Sequence, residues 1–214
     1  MAEFKTVSLA DQVFERLEND IITGVYVRGE ILTELRLVEQ LGVSRTPIRE
    51  ALRRLEQERL IKDTGKGSLV LGITLQDLED IMDIRLRVEP LAAYYAALNI
   101  DAEGIANLRQ ISELQDFYYS KEDVDRLRQM DDRFHDAIYE LSGRTVLKDT
   151  LRPLHRKTQR YRKSSIATRD RQSASILEHK ALLDAICAKD ACAAEKASRE
   201  HILHAKENMI TRYR

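Results

Sequence analysis

Five histidines occur in the 214 residues, at 135, 155, 179, 201 and 204. Asp131 and His135 are four apart, which places them on one helical face, one turn from each other. His179 and His201 fall on two other stretches with helical patterning. A helical bundle can bring such residues together in its core. Three imidazoles and one carboxylate suit zinc, nickel, manganese or iron, with positions left open for water or an anionic ligand. The plainer alternative is a set of histidines that are solvated or satisfied by backbone carbonyls.

A second group has the residue types that read nucleic acid. Ser44, Arg45, Thr46, Pro47 and Arg49 open a predicted helix, and Arg45 and Arg49 project from one face of it. Arginine reads guanine O6 and N7 with two donors at once, while Ser and Thr hydroxyls suit phosphates or either base. Residues 44–66 hold seven Lys/Arg against four Asp/Glu, and Lys66 lies between Gly65 and Gly67 in a polar turn. A charged amphipathic helix beside an ordinary hairpin would look similar. A third group, residues 144–171, has ten Lys/Arg and two acids. A solvated helix face is the commoner meaning of such a run; a second nucleic-acid surface, or Arg152, Arg156 or Arg160 turned inward toward an anion, are the others.

The composition bounds what can position these residues. Hydrophobic residues make up 43% and charged residues 33%, as in an ordinary globular protein, which excludes disorder and collagen. Eight Gly and three Pro are too few for a chain built of hairpins, so the expectation is mostly α. No run approaches the roughly 18 apolar residues of a membrane span, and MAEFKTVSLADQVFERL lacks the apolar segment of a signal peptide. Cys187 and Cys192 are too few and too local for a disulfide framework. A cytoplasmic location and no membrane partner are expected. The net charge of −1 argues against wholesale polyanion binding, so any DNA contact must be local.

Two units are expected, 1–73 and 74–214. In the first, helices fit about 8–23, 34–41 and from Ser44 as N-cap to about Leu60, followed by a hairpin across Asp63–Gly67. Helix, glycine-containing turn and helix form a helix-turn-helix pattern, whose second helix enters the major groove by its N-terminal residues. In the second unit a helix from Leu78 should kink or restart at Pro90. Further helices fit about 102–119, 122–141, 145–164, 172–188 and 190–212, an antiparallel bundle of six or seven helices.

The run LVEQLGVSRTPIREALRRLEQERLI, followed by KGSLV, resembles the winged helix-turn-helix of the GntR family of bacterial transcription regulators, over about 8–73. The resemblance implies that Arg45, Thr46 and Arg49 contact operator DNA, with Ser44 assisting and the Lys66–Gly67 wing tip entering the minor groove. Two departures are Leu35, where some branches carry an arginine, and Arg59, where a glycine is usual. The pattern DDRFHDAIYELSG, then EHKALLDAICAKD, then His201, is similar to the FCD effector domain of the FadR subfamily, over about 76–212. It implies one divalent transition metal per chain (zinc, nickel or manganese) at Asp131, His135, His179 and His201. It leaves His155 and His204 as surface or supporting groups, and Arg144 departs from the asparagine common in that loop. Arg85 is implied to bind the carboxylate of a small organic acid; an Arg85–Glu89 pair within one helix, worth about 0.2–0.5 kcal/mol on a surface, is the alternative. The resulting expectation is a homodimeric repressor that leaves a near-palindromic double-stranded operator when a small carboxylate binds. A regulator sensing the metal itself and a metal-dependent enzyme are the alternatives; for the latter the sequence offers no HExxH, no phosphate loop and no Gly-x-Ser-x-Gly.

Overall fold

The computed structural model describes residues 8–159, 161–162 and 168–212. Arg160 and the last residues of the expected 145–164 helix lie outside that set. The chain divides into a unit ending at Thr74 and a unit beginning at Leu75, each with its own core.

In the N-terminal unit, α1 (Leu9–Ile22) starts on a reciprocal cap. Ser8 Oγ accepts from the Asp11 amide and the Asp11 carboxylate accepts from the Ser8 amide, satisfying two donors that a helix start leaves orphaned. The stripe Val13, Phe14, Leu17 and Ile21 packs on α3 (Arg45–Gln57), which presents Ile48, Ala51, Leu52 and Leu55. Arg54 reinforces the contact, lying over the Phe14 ring at 4.0 Å with Nη1 2.5 Å from Asp11 Oδ1. Between them come β1 (Ile31–Leu32) and α2 (Glu34–Leu41), which Gly42 stops at φ 66, a conformation glycine adopts without a Cβ penalty. β2 (Ile61–Asp63) and β3 (Ser68–Val70) form the expected hairpin, and β1 joins the far side of β3 to give the antiparallel order β1-β3-β2. α3 ends three residues short of Leu60. Glu58 caps it and Arg59 turns left-handed at φ 58, the position where the resemblance leads one to expect glycine.

The C-terminal unit is all helix among its described residues: α4 (Leu75–Asn99), α5 (Ala102–Ser120), α6 (Val124–Leu141), α7 (Thr145–Lys157), α8 (Arg169–Cys187) and α9 (Ala191–Thr211). α4 is central and touches α6, α7, α8 and α9, while α5 packs on α6 and α8. The alanines Ala93, Ala96 and Ala97 of α4 share a core with Phe134, Ile138, Leu182 and Ile186. Of the kink or restart expected at Pro90, the restart does not occur: α4 runs through it as one helix. Proline removes the amide that would bond the Leu86 carbonyl, and Arg199 of α9 donates to that carbonyl at 3.5 Å. No described helix is long and apolar enough to cross a membrane.

Candidate metal centre and DNA-reading face

Three helices of the C-terminal unit aim imidazoles at one point. His135 comes from α6, His179 from α8 and His201 from α9, all buried. His201 Nε2 lies 3.3 Å from His135 Nε2 and 3.3 Å from His179 Nε2. Asp131, one turn before His135, puts Oδ1 3.7 Å from His179 Nε2 and Oδ2 3.9 Å from His135 Nε2. Of the four residues singled out in the sequence, the three histidines bring ligand atoms within 4.8 Å of one another, while Asp131 borders two of them but is in contact with Arg162. Two nitrogens each about 2.0–2.1 Å from a common ion stand about 3.0–3.4 Å apart at octahedral or tetrahedral angles, so the spacing fits a single divalent ion. Phe134 stacks on His179 with ring centroids 4.4 Å apart, closing the centre on its core side.

The far side of each ring fixes its orientation. His135 Nδ1 is 2.7 Å from Glu89 Oε1, His201 Nδ1 is 2.8 Å from Glu178 Oε2, and His179 Nδ1 faces the Gln115 amide at 3.0–3.3 Å. Burial first, and neighbouring charge second, shift these groups. Burial lowers His135, with Glu89 opposing; it lowers His179 well below the usual range, with the other two imidazoles adding to the effect. His201 falls to about 4 through burial, despite Glu178. Burial would raise Glu178, but His201 and Arg171 bring it down to about 2; burial likewise opposes Glu89, which Arg85 and His135 hold well below the carboxylate range. Ionised carboxylates only accept, so His135 and His201, both neutral, carry their protons on Nδ1. Their Nε2 lone pairs then face each other at 3.3 Å with no proton between them. A cation at the point of convergence relieves that repulsion, and outer carboxylates of this kind orient the histidine ligands of metal sites.

Arg85 is buried and occupied by Glu89, with Nε 2.8 Å from Oε2 and Nη2 3.2 Å from Oε1. Burial would lower its pKa, but Glu89 and Tyr139 outweigh burial and raise it. It still borders a small cavity of about 20 Å³ shared with Arg162, Arg171, Asp131 and the histidines. Arg152 pairs with Asp136 and Glu140 and borders, with His155 and Arg156, a separate pocket of about 380 Å³. Also from the basic run, Arg162 and Arg171 border the small cavity, and Arg162 contacts Asp131 and reaches Asp132 Oδ1 at 2.5 Å and His155 Nε2 at 2.7 Å, while Arg156 lines the separate pocket beside His155 with its Nε buried. His155 is thus not a surface group: its ring is buried, 4.7 Å from that of His135. His204 is half exposed on Glu178. Arg144 stacks on Tyr95 at 4.0 Å. Sequence reasoning missed Glu89 as a histidine partner, and Gln115, Glu178, Arg162 and Arg171 altogether. Glu178 adjoins His179 in sequence and Arg162 lies seven residues after His155; Gln115 carries no signal.

In the N-terminal unit, Ser44, Arg45, Thr46 and Arg49 are exposed along the start of α3, and Ser44 makes no side-chain capping bond. Arg49 Nε lies 2.8 Å from Glu34 Oε1 on α2. Lys66 is exposed at the wing tip, where the Thr64 hydroxyl donates to the Gly67 carbonyl at 2.7 Å and Asp63 Oδ1 accepts from the Gly65 amide at 2.8 Å. A Cβ on Gly67 would stand 2.8 Å from the Leu32 carbonyl oxygen, so the packing of β1 requires glycine there. Between α3 and the wing runs a groove of about 450 Å³ bordered by Arg49, Arg53 and Lys66.

Residues 9–70 match the model of the bacterial regulatory proteins of the gntR family, and residues 80–204 match that of the FCD domain. The chain is 30% identical to the Uxu operon regulator of Haemophilus influenzae over 93% of this chain and 81% of that protein. It is 32% identical to the gluconate operon transcriptional repressor of Bacillus subtilis over 59% of this chain and 52% of that one. The fold matches that of Escherichia coli McbR/YncC with a TM-score of 0.84 and 25% identity, covering 98% of this chain and 100% of that one. These families and relatives are DNA-binding regulators rather than enzymes. The chain belongs to the GntR family of bacterial transcription regulators and carries an FCD domain behind its winged helix-turn-helix.

Proposed function

We propose that this regulator is a homodimeric repressor whose C-terminal unit, residues 74–214, holds one divalent transition metal at Asp131, His135, His179 and His201. Its N-terminal unit, residues 1–73, would read a near-palindromic operator through Ser44, Arg45, Thr46 and Arg49, with Lys66 and Gly67 at the wing. The observation that carries the metal reading is the convergence of three buried imidazoles, with Nε2 of His201 3.3 Å from Nε2 of both His135 and His179 and with Nδ1 of His135 and His201 set against Glu89 and Glu178. Three neutral nitrogens and a carboxylate suit zinc, nickel or manganese. Such an ion would supply a Lewis-acid anchor for an organic acid. The chain's own contribution to holding that acid would come from Arg85, Arg162 and Arg171, which border the cavity and are each paired with a carboxylate that the acid would have to displace. Differential affinity for the acid between two arrangements of the protein would then release the operator.

A seam on α4 supports the dimer. Ile84, Val88, Leu91, Tyr95 and Leu98 follow the alternating four–three spacing of a coiled-coil edge, and Ile84, Leu91 and Leu98 are exposed. A two-fold axis would apply the same seam to both copies, and matched reading heads demand matched half-sites.

One observation favours a second reading, in which the ion itself is the signal. The cavity of about 20 Å³ has room for about one water, so a carboxylate enters only if Arg162 swings aside. Operator binding followed against free metal and against small carboxylates, each with and without the other, separates the two. Release by acid only when metal is present supports the first; release by metal alone supports the second.

A further inference from the structure

Of the two arginines on the exposed start of α3, one is braced. Arg49 Nε lies 2.8 Å from Glu34 Oε1, and this contact with the carboxylate is what raises the arginine's pKa. Arg45 has no such partner among the described residues. Glu34 is the first residue of α2, fixed by the Thr33 cap, and it reaches Arg49 across the turn of the helix-turn-helix. As a stability device the pair does little, since both side chains are solvated and exposed ion pairs contribute little. It also costs DNA affinity, because it places a carboxylate beside phosphates. Its geometry has another consequence. Bidentate guanine reading needs two donors, and Glu34 occupies Nε, leaving the two terminal amino groups as a fork whose direction is fixed by the backbone of α2.

We infer that Glu34 is a specificity-determining residue: it holds Arg49 as a base reader and suppresses its use as a loose phosphate contact. This rests on the reading that Arg49 contacts bases, and the test separates the two. The probes are a duplex selected from a random pool by the full-length wild-type chain and a base-shuffled duplex of equal length, both titrated over a range of salt. Arg49→Ala should weaken the selected duplex by about 5- to 150-fold, the worth of one bidentate contact. Glu34→Ala should tighten the shuffled duplex, steepen its salt dependence by about 0.9 in log–log slope, and lower the selected-to-shuffled ratio about fivefold or more. In the Arg49→Ala background, Glu34→Ala should leave that ratio unchanged. Glu34→Gln, which keeps an oxygen for Nε, should steepen the slope while retaining the ratio, and it guards against a folding defect in the alanine variant. A ratio unchanged by Glu34→Ala while Arg49→Ala lowers it overturns the inference. A ratio that falls equally without Arg49 also overturns it. No effect of Arg49→Ala on the selected duplex removes the base-reading role itself.

Discussion

Glu89→Gln is the substitution that separates the roles of the buried network most sharply. Glu89 Oε1 accepts the His135 Nδ1 proton at 2.7 Å while Oε2 and Oε1 bind Arg85 at 2.8 and 3.2 Å, and all three side chains are almost fully buried. The few tenths of a kcal/mol of a surface i,i+4 pair does not apply at such a site. The glutamine keeps the shape but removes the charge, leaving the Arg85 guanidinium buried without its counter-ion. Breaking one partner of a buried pair costs about 3–5 kcal/mol. That is a large part of the roughly 5–15 kcal/mol of a typical native protein, yet it leaves a folded chain. The second effect is on the metal. An amide can present its NH₂ to His135 and favour the tautomer with Nε2 protonated, which cannot bind metal. Loss of such an outer partner lowers metal affinity about 10- to 100-fold. The assay is urea unfolding of metal-free protein beside a metal titration against a competing chromophoric chelator. A metal Kd within twofold of wild type, in a variant that has lost stability, would refute the claim that Glu89 orients His135.

Arg59 sits at φ 58 after the end of α3, where a side chain costs about 1–2 kcal/mol, so Arg59→Gly should raise the midpoint of thermal unfolding by about 1 kcal/mol equivalent of stability. Gly67→Ala should do the reverse, by about 1–3 kcal/mol, because φ is +143 and the new Cβ would meet the Leu32 carbonyl; an unchanged melting curve would contradict the packing argument. If the proposed dimer forms through the α4 seam, Leu91→Glu, in the middle of that seam, should shift light scattering from dimer toward monomer without unfolding the chain.

What could be read from the sequence was whatever rests on periodicity and local capping. α1, α2 and the start of α3 follow from Leu17 and Ile21, from Gly42, and from Pro47 in the first turn; Ser44 holds the N-cap position without a side-chain bond. Helical spacing showed that His135, His179 and His201 could meet in a bundle core, as they do; the choice of these residues with Asp131 as a ligand set came from the resemblance to the FCD domain. Three features depend on contacts that periodicity does not encode. Pro90 is tolerated because Arg199, far along the chain on α9, covers the Leu86 carbonyl. β1 has only two residues and exists because β3 offers it an edge. The partners Gln115 and Arg162 reach the histidines from elements whose own patterns only say which side is apolar. The pair of Arg85 with Glu89 was legible only as the alternative to an effector contact, and its burial, which decides the meaning of that pair, is a property of the closed bundle.

That Asp131, His135, His179 and His201 together hold one metal ion can be tested directly. The direct measurement is elemental analysis of protein purified without a histidine tag, beside the triple variant Asp131→Ala/His135→Ala/His179→Ala, with circular dichroism to verify that the variant is folded. The account predicts about one divalent transition metal per chain in the wild type and none in the variant. No metal in the wild type even after reconstitution, or equal metal in both, would contradict it.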